Sequence, residues 1–449
     1  MRSARKTATL LGGVAVVAAL ALAGCSPSTG SGDSSGPVSQ ADIDKAMNTP
    51  TTITFWSWVP DLKDEVALFE KKYPKIKVNV VNVGSGADQY TKLRTALKAG
   101  KGAPDAVQIE YQYISSFRLT NSLEDLSKYG ADKLGSQYVD WVWNQVSNDG
   151  VWGIPQDSGP LGNLYRSDIM QQAGVTTPPA TWDEYAADAA AVRSKTSSYI
   201  SNLPGNDPGQ MVGFFWQAGS KPFGYDGKKS VKIDLNNAAD QKVVSYWNDL
   251  IQKDLVSTDA DFNDNWYQGF NSGKYAGWPS PAWAPVFLQG SAKATAGKWA
   301  AAKIPQWNAG DDVSGNWGGS GDSVLTSSQH KIAAYELIKF INNDRASTLQ
   351  FANQQFLFPT LKATLQDPAF VDQKADFYGG QQVNKLFTGI SDTVDVKFEW
   401  LPFMDYVYSS YNDTLGKAIS DKTDLKKGLS DWQDAVVAYA KKQGFTVTQ

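Results

Sequence analysis

The spacing of apolar residues at the start of the chain predicts three strands separated by two helices. The strand candidates are residues 52–58, 76–83 and 106–109, which are rich in β-branched and aromatic side chains. Between the first two, Leu62, Val66, Phe69 and Tyr73 recur at helical spacing. Strands that alternate with helices are typical of a parallel sheet. The pattern therefore predicts an α/β fold.

Side chains that follow the strands of such a sheet are the first candidates for a ligand site. In an open α/β sheet, ligands bind beyond the carboxyl ends of the strands. At the predicted strand ends the sequence has two tryptophans and two polar residues: Trp56, Trp58, Glu110 and Gln112.

The segment 150–166, GVWGIPQDSGPLGNLYR, predicts the point where the chain leaves one sheet and enters another. It contains a short strand at 151–154, a polar kink that includes Asp157, and a second extended run. Ser167 and Asp168 then favour the start of a helix, because their oxygens can accept free backbone N–H groups. The alternative is a plain β-turn between paired strands.

The rest of the chain predicts a second α/β region and a helical end. Thr181 is predicted to cap a helix, and further helices are expected at 211–218, 236–255 and 259–273. Strands are expected at 275–278, 301–304 and 324–325, with a glycine loop at 316–323 before the last. Residues beyond 359 are predicted to be mostly helical. Because 449 residues are too many for one core, we expect two lobes.

Composition makes nucleic acid a poor candidate ligand and shows an unusual number of aromatic residues in the chain. The net charge is −4, and there is no basic run of the kind that nucleic acid requires. The chain has 16 tryptophans, more than a core needs. Five of them lie beside glycine, proline or polar turns and are candidate ligand residues, with core packing as the alternative for each: Trp216, Trp278, Trp283, Trp317 and Trp400. In the glycine loop, Gly318, Gly319 and Ser320 would let backbone N–H groups approach a ligand.

The first residues have the pattern of a secretion signal. Three basic residues precede an apolar run that is too short to span a membrane, and the run ends in Leu-Ala-Gly-Cys25. This ending resembles the lipobox of bacterial lipoproteins, in which Cys25 becomes the lipidated first residue. The alternative is ordinary cleavage nearby. Residues 26–38 are rich in Ser, Gly and Pro and predict a flexible tether.

Six sequence blocks, in order, resemble extracellular solute-binding proteins of bacterial ABC transporters, of the carbohydrate-binding kind. The blocks are ITFWSW; FEKKYPKIKVNVV; YTKLRTALKAGKGAPDAV; GVWGIPQDSGPLGNLYRSDIMQQAG with TPPATWDEY; FNSGKYAGW; and GGSGDSVLTSSQHKIAAYELIKFI. The resemblance implies a periplasmic-binding-protein-like fold of type II, with two α/β lobes, a hinge, and a sugar held in the cleft. Flat aromatic rings and fixed acceptors suit such a ligand, and Glu110 and Asp157 are the carboxylates expected to accept sugar hydroxyls.

The resemblance also implies boundaries and partners. We expect a signal peptide at 1–24, a tether at 25–50, a first lobe of 51–158 with 316–357, and a second lobe of 159–315 with 358–449. A monomer without cofactor, anchored by lipid outside the bacterial cell membrane, would capture a sugar, most simply an oligosaccharide, and deliver it to permease subunits. It would bind no nucleic acid and catalyse no reaction.

Two alternatives stay open at this point. A glycoside hydrolase needs only two facing carboxylates, and the chain has 46 acidic residues. A binder of a peptide or polyamine could use the same fold, although a polyamine would need more clustered acid. The sequence lacks the residues that three other kinds of site need: a catalytic triad, a phosphate-binding loop and a calcium loop. His330 is the only histidine, there is no phosphate-binding Gly-x-x-x-x-Gly-Lys motif, and the run beginning at Asp259 departs from a calcium loop at Asp264 and Phe270.

Overall fold

The computed structural model describes residues 36–449. Ten strands lie in this part of the chain and form two sheets. They are β1 (Thr51–Trp56), β2 (Ile76–Val81), β3 (Ala106–Glu110), β4 (Ile154–Arg166), β5 (Phe223–Tyr225), β6 (Ser230–Ile233), β7 (Gly277–Pro281), β8 (Trp299–Lys303), β9 (Asn316–Val324) and β10 (Thr446–Thr448).

Helices cover the sheets and make up most of the C-terminal third, as the sequence predicts. They are α1 (Gln40–Met47), α2 (Lys63–Lys72), α3 (Ala87–Ala99), α4 (Tyr111–Leu119), α5 (Asp140–Val146), α6 (Ser167–Gln172), α7 (Trp182–Lys195), α8 (Pro208–Gln217), α9 (Ala238–Gln252), α10 (Asp264–Ser272), α11 (Ala284–Ser291), α12 (Lys331–Asn343), α13 (Arg345–Gln350), α14 (Lys362–Leu365), α15 (Pro368–Val371), α16 (Val383–Ser391), α17 (Met404–Asp413), α18 (Leu415–Ser420) and α19 (Leu425–Lys442). A π-helical turn, Phe351–Gln355, follows α13.

The larger sheet has the order β2-β1-β3-β9-β4-β7, and β8 also pairs with β4. The neighbours β2, β1 and β3 are parallel, which confirms the sequence interpretation of this region, whereas β9 runs antiparallel to both β3 and β4. Strands β5, β6 and β10 form the smaller sheet. None of these three strands was predicted.

Strand β4 is the element that joins the two halves of the larger sheet. Its first half, from Ile154 to Pro160, pairs with β9, and its second half, from Leu161 to Arg166, pairs with β7 and β8. The predicted polar kink does not divide two strands, because β4 is one strand of 13 residues, although its pairing register is irregular on either side of Asp157. The prolines are accommodated by register shifts between Pro155 and Asp157 and between Ser158 and Pro160, since bulges tolerate a missing N–H.

The predicted glycine loop at 316–323 is also wrong. Those residues form β9, a buried strand between β3 and β4. Pairing with strands on both sides satisfies the backbone hydrogen-bonding groups of this glycine-rich segment. Its local sequence alone would not keep it extended. Gly318 and Gly319 still have left-handed backbone angles within it, with φ of 84° and 94°.

Two predicted chain boundaries have different outcomes. Thr181 caps α7 by accepting a hydrogen bond from the Glu184 N–H, as predicted. Helix α6 begins at Ser167, as predicted, and Asp168 Oδ1 accepts the Ile169 N–H at 3.0 Å. The N-cap residue, however, is Arg166, whose guanidinium also binds the Asp168 carboxylate.

The folded part of the chain begins earlier than the predicted start near residue 51. Helix α1 is capped by Ser39 and buries Met47 against the rest of the protein. A tether that reaches residue 50 is therefore too long. The lipobox and Cys25 lie outside the described residues. Among residues 36–449, no helix is both long and apolar enough to cross a membrane.

Candidate functional site

A cavity of about 510 Å³ opens where β3, β9 and β4 lie side by side. Its lining divides into a polar group and an aromatic group. The polar side chains are Gln108, Glu110, Asp157, Ser320 and Gln355, and the aromatic ones are Trp58, Phe262, Trp283, Phe287 and Phe356. Sequence segments that are far apart thus supply one site.

The sheet register explains why the polar side chains converge. Glu110, at the end of β3, is the register partner of Ser320 in β9. Asp157, in the first half of β4, is the register partner of the same serine from the other side. Ser320 therefore lies between the two predicted carboxylates. We call Gln108, Glu110, Asp157 and Ser320 the polar floor of the cavity.

Hydrogen bonds fix the floor in place. The backbone N–H and the hydroxyl of Ser320 donate to Asp157 Oδ1, at 2.9 and 2.5 Å. Gln108 Nε2 donates to the Ser320 hydroxyl at 2.9 Å. The Gln108 carbonyl accepts from the Ser57 hydroxyl at 2.7 Å and from the Trp58 N–H at 3.2 Å. This chain of bonds connects Trp58 to Asp157 and pre-organises the site.

Glu110 is held by its neighbours but keeps a high proton affinity. Its carboxylate accepts hydrogen bonds from the Tyr90 hydroxyl and the Gln112 amide, at 3.1 and 3.2 Å. Burial raises the pKa of Glu110 to about 7 and that of Asp157 to about 6. No basic side chain bonds either group within residues 36–449. Both carboxyl groups can therefore serve hydroxyl-rich ligands as acceptors.

Trp283 forms the main aromatic wall of the cavity. Its Nε1 donates to the backbone oxygen of Trp317 at 3.0 Å, which fixes the orientation of the indole. The Trp317 and Phe262 rings lie 5.6 and 6.2 Å from it, centroid to centroid. Behind it, Trp278 packs at 6.4 Å. A partly exposed indole held in this way offers a flat face to the cavity.

Gly319 allows the floor to form. Its φ of 94° is a conformation that other residues rarely adopt. A Cβ atom at this position would also stand 2.7 Å from the ring of Tyr111. Tyr111 in turn donates its hydroxyl to the backbone oxygen of Asp157. The glycine thus permits the close packing of β9 against β4 beside the site.

The structure brings some of the predicted site residues to the cavity and places others elsewhere. Trp58, Glu110, Asp157, Trp283, Gly319 and Ser320 line it. Gln112 lies behind Glu110, and Trp317 and Trp278 lie behind Trp283. Trp56 is buried in β1 with an exposed fraction of 8%. Contact of a ligand with Gln112, Trp317, Trp278 or Trp56 stays a prediction.

Trp216 and Trp400 lie in a different place. Trp216 is 1% exposed and stacks on Phe398 at 4.2 Å. Trp400 packs against the same phenylalanine, and its Nε1 donates to Gln145. It lines a second, smaller cavity together with Trp152. These two tryptophans belong to an aromatic core cluster, and the structure does not bring them to the polar floor.

Sequence reasoning missed several residues that line the cavity, among them Gln108, Phe262, Phe287 and Phe356. Gln108 had a detectable signal, because it is a polar residue inside the apolar run of β3. Phe262 also had one, since it stands between Asp261 and Asn263 in a polar segment. Phe287 and Phe356 had no comparable signal. Their positions depend on how α11 and the π-helical turn pack in the folded chain.

A second acidic pair lies close to the floor. Asn206 Nδ2 donates to Asp261 Oδ1 at 2.8 Å, and the backbone N–H groups of Gly209 and Gln210 donate to Asp207. Burial raises the pKa of both Asp207 and Asp261, and the neighbouring Asp207 carboxylate adds to the rise in the pKa of Asp261. Among the described residues, no group of three or more histidine, cysteine or acidic side chains could hold a metal ion.

Comparison with known proteins places this site in a family. The family model of bacterial extracellular solute-binding proteins matches residues 51–348. This chain belongs to that family. The predicted family, and with it the predicted solute-binding function, is confirmed.

Relatives within the family are sugar-binding proteins. The lactose-binding protein of Rhizobium radiobacter is 28% identical over 359 residues, which cover 75% of this chain and 81% of that protein. The arabinooligosaccharide-binding protein of Bacillus subtilis is 28% identical over 335 residues, which cover 72% of each chain.

A solved structure confirms the predicted fold class. It is the ABC transporter associated binding protein from B. animalis subsp. lactis in complex with beta-1,6-galactobiose. The two chains are 32% identical, and the match covers 90% of this chain and 100% of that one with a TM-score of 0.78. The family is thus supported by sequence and by structure alike.

Proposed function

We propose that this protein captures a sugar or short oligosaccharide in the cavity above the polar floor and delivers it to the permease of an ABC importer. The observation that carries the proposal is the pairing of fixed acceptors, Glu110 and Asp157, with the flat faces of Trp58 and Trp283 in one cavity. Sugars present hydroxyls at their edges and C–H groups on their faces, so they match both kinds of group. The sugar-binding relatives support the same ligand class.

Ligand capture would work by closure of two lobes about β4. We propose the boundaries predicted above, 51–158 with 316–357 and 159–315 with 358–449. Trp58 and Glu110 would then belong to the first lobe, and Phe262 and Trp283 to the second. A ligand that contacts both sets has extra affinity for the closed state and shifts the equilibrium toward it. The ion pair between Arg94 and Asp405, at 2.6 Å, would join the two lobes in the closed state.

The place of action would be the outer face of the bacterial cell membrane. Membership of an extracellular family supports export. We further propose that Cys25 carries the lipid anchor, that the chain up to Ser39 is the tether, and that the protein acts as a monomer without a cofactor. The structure supports only the end of this tether, because α1 begins directly after Ser39.

Glycoside hydrolysis is the second candidate function, because Glu110 and Asp157 are two carboxyl groups in one cavity. We propose that the protein is not an enzyme, and incubation with its best-binding sugar followed by mass spectrometry tests this. We expect the sugar to be recovered intact. In the Asp157→Asn variant we expect weaker binding, by roughly 1.5–3 kcal/mol, because a charged acceptor is replaced by a neutral one.

The two functions give different results in this assay. Cleavage products that form with the parent protein and disappear in Asp157→Asn would contradict the receptor function. Asp434→Asn is the matched control, since Asp434 is exposed on α19, away from the cavity lining. It should change neither the recovery nor the affinity.

A further inference from the structure

Three exposed phenylalanine rings surround the mouth of the cavity. In the described part of the chain, five large apolar residues are exposed: Leu119, Phe262, Phe287, Phe356 and Val396. The three phenylalanines, exposed by 44%, 51% and 46%, are the ones that line the cavity. Clustered exposed apolar rings mark a binding surface, because water contact with them is unfavourable.

The mouth has almost no polar group to offer. Phenylalanine rings have neither donor nor acceptor, and the Nε1 of Trp283 is already bonded to the Trp317 backbone. The amide of Gln355 donates to Glu65 Oε2 at 3.1 Å, and its carbonyl oxygen is buried. The mouth therefore provides few free hydrogen-bonding groups, in contrast to the polar floor.

The backbone holds two of the rings at the mouth. Phe262 and Phe356 have φ of 53° and 60°, values that are uncommon for residues with a side chain. Phe356 directly follows the π-helical turn, whose last residue, Gln355, is fixed by its bond to Glu65. Phe262 directly follows Asp261, which is bonded to Asn206 through both its side chain and its N–H. Such local strain is common at functional sites.

We propose that the ligand is a glycoside with an apolar, ring-shaped aglycone, with its sugar on the polar floor and its aglycone among Phe262, Phe287 and Phe356. This inference rests on the proposed function and makes its ligand class more specific. A second sugar ring would fit the mouth less well. Its hydroxyl groups would lose water there and find few hydrogen-bonding groups in return, which is costly. An aromatic aglycone has no hydroxyl groups to remove from water, so it avoids this cost.

Matched glycosides test the inference. We would measure by titration calorimetry the affinity of the purified protein for the phenyl and methyl glycosides of glucose and galactose, in both anomeric forms, and for lactose and maltose. For the sugar that binds, we expect the phenyl glycoside to bind about tenfold to thirtyfold more tightly than the methyl glycoside. We expect it also to bind more tightly than the disaccharides.

Phenylalanine variants test whether the rings at the mouth cause the preference for the phenyl glycoside. In Phe287→Ser and Phe356→Ser we expect the ratio of phenyl to methyl affinity to fall toward one. In the control Leu119→Ser the ratio should stay at the parent value, because Leu119 is similarly exposed but does not line the cavity. Both phenylalanines are exposed, so these variants should fold, and circular dichroism checks this.

The outcomes separate the two proposals. Equal affinity for phenyl and methyl glycosides, tighter binding of a disaccharide, or a preference that survives in both phenylalanine variants would overturn this inference and leave the carbohydrate receptor intact. If none of the carbohydrates binds the folded protein, the proposed function and this inference both fail.

Discussion

Replacing Trp283 with alanine is expected to weaken carbohydrate binding by roughly 1–3 kcal/mol, a tenfold to hundredfold higher Kd. The indole is partly exposed and fixed by its bond to the Trp317 backbone, so its face is available to the ligand at little cost in entropy. Most of the binding free energy that the indole contributes comes from that flat contact area. Titration calorimetry on the parent protein and the variant measures the change.

Two further variants make the result specific. Trp283→Phe keeps an aromatic face but loses the bond to the Trp317 backbone, so its loss of affinity should be smaller. Trp152→Ala removes a tryptophan from the second cavity and should leave affinity unchanged. If Trp283→Ala binds as well as the parent, or unfolds at ordinary temperature, the indole is a packing residue and the proposed wall is wrong.

Replacing Asp322 with asparagine is expected to raise the stability of the protein at pH 8. Asp322 is fully buried in β9. Its Oδ2 accepts hydrogen bonds from the amides of Gln156 and Asn342, at 3.0 and 2.7 Å, and its Oδ1 has no partner among the described residues. Burial raises the pKa of this carboxyl to about 7. An asparagine carbonyl can accept both bonds without any charge.

The direction of the pH dependence follows from this raised pKa. Asp322 is protonated in both the folded and the unfolded chain below about pH 4, so it causes no loss of stability there. Between about pH 4 and pH 7 the unfolded chain is ionised while the folded chain keeps the Asp322 proton, so stability falls over this interval and the loss is complete above about pH 7. Since a tenfold difference in proton affinity is worth about 1.4 kcal/mol, the cost at pH 8 is roughly 4 kcal/mol.

Thermal unfolding at pH 4.5 and pH 8 measures the effect. The variant should unfold at a clearly higher temperature than the parent at pH 8 and near the parent temperature at pH 4.5. Asp434→Asn, an exposed acid on α19, serves as the matched control and should leave the pH dependence as it is. A variant that is less stable than the parent at pH 8 would show instead that the buried carboxylate is ionised and stabilising.

The elements that the sequence predicted well are those whose own residues decide their structure. The alternating apolar runs of β1 to β3 and the Thr181 cap of α7 fall in this class. Strands β4 and β9 do not. Their prolines, glycines and serines favour turns locally, but both strands lie inside the larger sheet, where each pairs on both sides over part of its length. That pairing comes from distant residues and outweighs local preference.

Some residues of the candidate site could likewise be predicted from local sequence, and others could not. Glu110 and Asp157 were predicted because carboxyl ends of strands and chain crossings mark ligand sites. A glycine or proline next to a tryptophan in the sequence does not determine how exposed that tryptophan is. Trp283 lines the cavity, whereas Trp216 stacks in a core. Phe287 and Phe356 come together only through tertiary packing, which no local pattern contains.

The location of the ligand is the most direct test of the account, and a crystal structure of the protein with its best-binding sugar measures it. We predict a sugar ring against Trp283 and Trp58, with its hydroxyl groups within hydrogen-bonding distance of Glu110 and Asp157, in the cavity that these residues line. A sugar bound instead in the second cavity, beside Trp152 and Trp400, would contradict the account.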